Sequence, residues 1–111
     1  MREYRKGYRF ERRVRKYLEK LGYIVFRAAG SKPIDLIVIT RRKGFIIECK
    51  VSRKYLRKND ISRLMYIHEK TGLIPVFAYR ENNEIKFLNL LDNKIFNFPH
   101  AESLDKFIGT F

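Results

Sequence analysis

What the chain has little of narrows its class first. It holds one cysteine, Cys49, in 111 residues, so no intrachain disulfide can form and a disulfide-stapled secreted scaffold is excluded. No charged-then-apolar leader is legible at the N-terminus, and a cytoplasmic location is the expectation. Apolar runs such as 36–39 and 73–79 are far too short to span a bilayer, so no membrane partner is expected. Only 6 glycines and 3 prolines occur, beside 45% hydrophobic and 33% charged residues, which excludes a low-complexity or disordered chain. Neither repeats nor Pro/Ser-rich linkers appear. The length fits a single domain, 1–111, in which every element has to contribute to the core.

Acidic residues are the other scarcity. Against 25 Lys and Arg stand 12 Asp and Glu, a net charge of +13. Residues 1–80 carry 22 basic and 7 acidic groups, residues 81–111 carry 3 and 5, so the whole excess lies in the first part of the chain. A heat-adapted surface would mix both signs. A lopsided excess favours a polyanion, nucleic acid being the usual one, because neutralising phosphates releases counterions.

Periodicity then orders the elements. Phe10, Val14, Tyr17, Leu18 and Leu21 recur at helical spacing ahead of Gly22, which predicts a helix of about four turns. Runs 23–27, 34–40 and 45–51 read as an antiparallel meander with a turn at Arg41 to Gly44. Asn59 or Asp60 can cap a second helix, with Ile61, Leu64, Met65 and His68 on one face and Gly72 closing it. Strands 74–79 and 85–90 flank a turn at Glu81-Asn82-Asn83, a short edge follows at 94–98, and Ser103 can cap a final turn through Leu104, Phe107 and Ile108. Strands on both sides of a helix imply an α/β fold, a mixed sheet flanked by helices.

Within the third predicted strand, alternation sets Phe45, Ile47 and Cys49 on one side and Ile46, Glu48 and Lys50 on the other. An ion pair inside an apolar strand has two readings, an edge-strand pair or a site held together by a partner or metal. Asp35 tips the balance. A hairpin centred on Arg42-Lys43 carries residue 35 to the neighbourhood of residues 48–50. Two carboxylates side by side repel unless a cation lies between them, and oxygen ligands on a rigid strand suit Mg²⁺. His68 reads as core-facing, and Cys49 as a small buried side chain pointing away from Glu48.

Asp35, twelve intervening residues, and then Glu48-Cys49-Lys50 resemble the D…ExK core of the restriction-endonuclease-like nucleases. With Lys6-Gly7 and Glu11-Arg12, Gly30-Ser31-Lys32 ahead of Ile34-Asp35-Leu36, Ile47 to Val51, the helix from Arg63-Leu64 onward and Gly72 to Val76, the pattern resembles the archaeal Holliday junction resolvases over about residues 5–80. Ile34, where the wider superfamily has proline, is a departure in a backbone device rather than a ligand.

The resemblance implies a restriction-endonuclease-like fold whose catalytic core spans about residues 5–80, and a nuclease that hydrolyses phosphodiesters with Mg²⁺, Mn²⁺ standing in. Asp35 and Glu48 would bind the metal with the Cys49 carbonyl, and Glu11 would reach in from the first helix. Read without the family, Glu11 is a surface partner for Arg15. Lys50 would orient the attacking water or stabilise phosphoryl charge, and Ser31 would assist cleavage or, read alone, serve as a turn residue.

Arg5, Lys6, Arg9, Arg12, Lys32, Arg53, Lys54, Arg57 and Lys58 are the expected DNA contacts. They suit backbone and shape recognition rather than base readout, with Tyr4, Tyr8 and Tyr55 either stacking on bases or packing. The expected substrate is a four-way DNA junction cut by paired nicks from a homodimer. The apolar residues Phe96, Phe98, Phe107, Ile108 and Phe111 either form that dimer interface or seal the monomer core. Alternatives are a nuclease of flaps, forks or duplex DNA, and a non-catalytic junction-binding module. Recruitment by a sliding clamp or another repair protein stays open.

Overall fold

Why the first helix sits where it does follows from three residues. Phe10, Val14 and Leu18 repeat every fourth position and are all buried, while the remaining faces carry Arg and Lys that stay in water. The computed structural model, which describes residues 2–28 and 34–103 and side chains from Gly7 onward, forms this helix as α1, Arg2–Lys20. Its 19 residues exceed the four turns expected, because Arg, Lys and Glu before Phe10 are good helix formers. Gly22 ends it at φ +99°.

Next come β1 (Ile24–Arg27), β2 (Leu36–Ile39) and β3 (Gly44–Cys49), the expected antiparallel meander. Both pairings are antiparallel, with Arg27 opposite Leu36 and Leu36 opposite Ile47. β2 and β3 are shorter than their apolar runs. Beyond Cys49 the chain leaves the ladder for a 3₁₀ turn at Arg53–Tyr55, and Ile34 and Asp35 precede β2, although the Asp35 N–H still donates to Ile47 O at 2.9 Å.

Helix α2 (Lys58–Thr71) is capped differently from the expectation. Arg57 is its N-cap and makes no side-chain capping hydrogen bond. Asp60 lies instead inside the first turn, where its charge still meets the positive end of the helix dipole. The far end is as expected: Gly72, at φ +76°, donates its N–H to His68 O, a left-handed closure that a Cβ would strain. His68 is only half-buried, and its Nδ1 lies 2.9 Å from Leu73 O, so it ties the helix end to the next strand.

That strand, β4 (Ile74–Glu81), runs parallel to β3, making α2 the crossover. Asn82 and Asn83, at φ +51° and +61°, form a tight turn of the kind that fits sheet twist. β5 (Glu84–Asn89) and β6 (Lys94–Phe96) then complete a six-stranded mixed sheet in chain order. A 3₁₀ turn spans Ala101–Ser103; the turn expected at Leu104, Phe107 and Ile108 lies outside the described residues.

Leu36, Val38, Phe45, Ile47, Cys49, Val76, Ala78 and Phe87 face α1 in the main core. Phe98 plugs it, with ring contacts to Tyr23, Phe45 and Phe87, and Phe96 packs against it. Phe98 therefore seals the monomer core and Phe96 packs partly buried against it; Phe107, Ile108 and Phe111 are outside the described residues. On the opposite face α2 packs over β4 with Leu64 fully buried, each such side chain contributing about 2 kcal/mol. Among the described residues nothing covers the β1–β2 half of that face, where Ile24, Phe26 and Ile39 are 67%, 52% and 54% exposed. Among the described residues no helix is long and apolar enough to cross a membrane.

Candidate active site

Register brings the expected residues together. Since Leu36 pairs with Ile47 in antiparallel sense, the residue before Leu36 stands opposite the residue after Ile47, so Asp35 faces Glu48. Asp35 is fixed from two sides: its N–H donates to Ile47 O, and its Oδ2 accepts from the Cys49 N–H at 2.7 Å. A backbone donor of this kind holds a carboxylate in one orientation.

Glu48 is 3% exposed. Burial first, then the hydrogen bond to Asp35 and the negative charge of Asp35, push its carboxyl up to about 9, with Lys50 pulling the other way. At neutral pH the pair is therefore one proton short of full ionisation, the behaviour of two acids forced into one site. Lys50 Nζ lies 3.8 Å from Glu48 Oε1 and is partly exposed, so it fronts the site as a cation that solvent and substrate can reach.

This donor set fits a hard divalent cation. Two carboxylates competing for one proton are what a metal replaces, and the adjacent Cys49 carbonyl is a further oxygen. Among the described residues no three His, Cys, Asp or Glu side chains converge to cage an ion, so the remaining ligands would be water, as Mg²⁺ prefers. The Cys49 sulfur is buried, and burial together with Asp35, Glu11 and Glu48 pushes its thiol up; it stays a neutral thiol facing the α1 core.

Glu11 does not take the partner one turn away on its own helix. Its Oε1 pairs with Arg27 Nε at 2.6 Å, not with Arg15. It flanks the site from the α1 side, near enough to raise the Cys49 thiol, without joining the Asp35–Glu48 pair. Arg27 was not legible as a site residue. Its only sequence signal was a basic residue ending a strand, yet the neighbouring Ala28 N–H donates to Asp35 O at 2.9 Å, and its guanidinium lies 5.1 Å from the Tyr8 ring centroid.

Tyr79 was missed too. It follows Ala78, whose carbonyl accepts from the Lys50 N–H, so it stands beside Lys50 on the next strand. Its hydroxyl is buried with no hydrogen-bond partner among the described residues, and Arg53 sits over its ring at 5.9 Å.

The basic residues divide by position. Arg9 and Arg12 are exposed on α1, and Arg53, Lys54, Arg57 and Lys58 are exposed just beyond Lys50, at the same end of the sheet. The Arg41 to Lys43 turn joins the opposite ends of β2 and β3 and is remote from the site. Tyr8 and Tyr55 are 41% and 43% exposed, each beside a cation rather than packed in the core. Ser31 and Lys32 lie outside the described residues, as do the side chains of Tyr4, Arg5 and Lys6.

The family model described as archaeal Holliday junction resolvase (Hjc) matches residues 2–102. The crossover junction endodeoxyribonuclease Hjc of Methanocaldococcus jannaschii is 43% identical over 90 residues, 78% of this chain and 68% of the relative. The solved structure of Archaeoglobus fulgidus Hjc, a Holliday junction resolvase, superposes with a TM-score of 0.68 over 78% of this chain and 74% of that one. At 24% identity the superposition speaks for the restriction-endonuclease-like fold alone. Family match and curated relative agree, and the chain belongs to the archaeal Holliday junction resolvase family.

Proposed function

We propose that this protein is an Mg²⁺-dependent endodeoxyribonuclease that resolves four-way DNA junctions, a homodimer placing two sites for paired nicks. The observation that carries the reading is the buried Asp35–Glu48 pair on adjacent strands, fronted by Lys50. Asp35, Glu48 and the Cys49 carbonyl would hold the metal, with Mn²⁺ an acceptable substitute. When bound, the ion supplies Lewis-acid chemistry to the phosphodiester and its water nucleophile.

The chain's own groups do the rest. The Cys49 N–H keeps Asp35 oriented, so its oxygens need no reorganisation when the substrate arrives. Lys50 orients the attacking water and stabilises charge on the phosphoryl oxygens. Glu11, held by Arg27, borders the site on the α1 side and acts on it through water. Arg9, Arg12, Arg53, Lys54, Arg57 and Lys58 grip phosphates around the cut, joined by Arg5, Lys6 and Lys32, with Ser31 assisting cleavage. Arg53, seated on Tyr79, is the one held nearest Lys50.

Symmetric cutting of opposed strands needs two sites in fixed relation, which a twofold dimer supplies. The apolar face of β1 and β2, which no described residue covers, supports a second copy seated there, since Ile24, Phe26 and Ile39 are exposed large hydrophobics. The test is to incubate the protein and Mg²⁺ with a mobile-core four-way junction beside a linear duplex of matched sequence. Selective cutting of the junction is expected, and equal cutting of both sinks the resolvase reading.

A further inference from the structure

On the opposite flank of α1 from Glu11 the structure holds a cleft of about 480 Å³ lined by Arg13, Lys16, Tyr17, Lys20, Asn83, Glu84, Ile85 and Asn97. One end is set by a latch: Arg13 Nη2 donates to Asn83 O at 2.6 Å, tying the helix to the tip of the β4–β5 hairpin. β3 and β4 are parallel, so that tip and the Asp35–Glu48–Lys50 site lie at the same end of the sheet. From there the cleft runs along α1 toward Lys20.

Arg9, Arg13, Lys16 and Lys20 fall on one stripe of α1, about 16 Å long at ~1.5 Å rise per residue. Among the described residues neither Lys16 nor Lys20 forms an ion pair, although Glu84 lines the same cleft. Beside them, toward the sheet, Tyr17 is 40% exposed, its ring backed by Phe87 at 6.1 Å and 27°. A ring braced from behind and open in front, beside unpaired cations, is the layout of a platform for single-stranded nucleic acid. Asn83 and Asn97 offer amides, and Glu84 an acceptor, for a base edge. The volume suits one or two nucleotides, within the usual range for bound ligands of about 300–1,000 Å³.

We infer that this cleft is a second nucleic-acid site, binding one or two nucleotides of unpaired strand with the flanking phosphates on Arg13, Lys16 and Lys20 and one base against Tyr17. The inference rests on the junction-nuclease reading for its substrate, and gives the enzyme a place to hold strand that frays from a branch point. It is distinct from the Asp35–Glu48–Lys50 site, none of whose residues lines the cleft, and its stripe continues at Arg9 into the grip around the cut.

The probe is the tetranucleotide (dT)₄ without Mg²⁺, titrated into isotope-labelled full-length protein. Amide resonances of Lys16, Tyr17, Asn83 and Asn97 are expected to shift; shifts confined to residues around Asp35 and Glu48 overturn the proposal. Lys16→Gln/Lys20→Gln keeps the Arg13 latch and is expected to weaken (dT)₄ binding about tenfold. The slope of log affinity against log salt should fall by about 1.4, at ~0.7 per single-strand phosphate. Tyr17→Ala should cost about fivefold or more. Wild-type affinity and slope in the double variant overturn the proposal. The two readings separate cleanly: (dT)₄ in the cleft of a protein that leaves junctions uncut keeps the cleft and sinks the resolvase, while junction cutting with a silent cleft does the reverse.

Discussion

The Cys49 main-chain N–H donates to Asp35 Oδ2 across 2.7 Å, and this bond fixes one carboxylate of the site to the strand that carries the other. Asp35→Asn preserves the shape but can present an NH₂ where an acceptor is required, and it removes the charge that a metal needs. Cleavage of a four-way junction should fall below detection while binding, measured by gel shift without Mg²⁺, stays near wild type. Surviving cleavage would falsify the metal assignment.

Glu48 makes stability depend on pH. Its folded pKa, about 9, lies above the ordinary value of 4.5, so the unfolded chain loses this proton first. The contribution of Glu48 to stability is thus fully present below about pH 4.5 and is lost as pH rises toward 9. The Tm of the metal-free protein should fall across that window, and Glu48→Gln should flatten the slope. Added Mg²⁺ should raise the Tm most at the alkaline end, where both carboxylates are ionised. A Tm independent of pH and of Mg²⁺ between 5 and 9 rules out the shared proton.

Lys50 is half in water and 3.8 Å from Glu48, close enough to serve the site without being needed to neutralise it. Lys50→Met should lower the single-turnover rate by about 10²–10³-fold, the scale set by removing one preorganised charge-stabilising donor. Mg²⁺ should still shift the Tm. If the variant loses the Mg²⁺ shift as well, Lys50 is structural.

The exposed Ile24, Phe26 and Ile39 predict where two copies meet. Phe26→Glu places a charge on that face without touching the α1 core, and should convert a dimer into a monomer by sedimentation velocity. Junctions should then be nicked on one strand rather than cut in pairs. A dimer that persists moves the interface elsewhere.

Much of the molecule was already legible in the residue order, for local reasons. Helix α1, the meander and the Gly72 closure follow from periodicity and glycine, which act over a few residues. Asp35, Glu48 and Lys50 were legible because two alternations and one turn length place them in register, and that arithmetic survives folding. What tertiary structure decided is which long-range partner each polar group takes. Glu11 had Arg15 one turn away on its own helix, but the sheet put Arg27 within 2.6 Å. Phe96 and Phe98 were apolar enough for either a core or an interface, and closure over Tyr23, Phe45 and Phe87 buried Phe98, with Phe96 packed partly exposed against it. Glu48 and its proton belong to both levels. Sequence set the carboxylate on a strand beside Asp35, and only the burial of that strand inside the six-stranded sheet gave it an environment in which two negative charges cannot coexist without a cation.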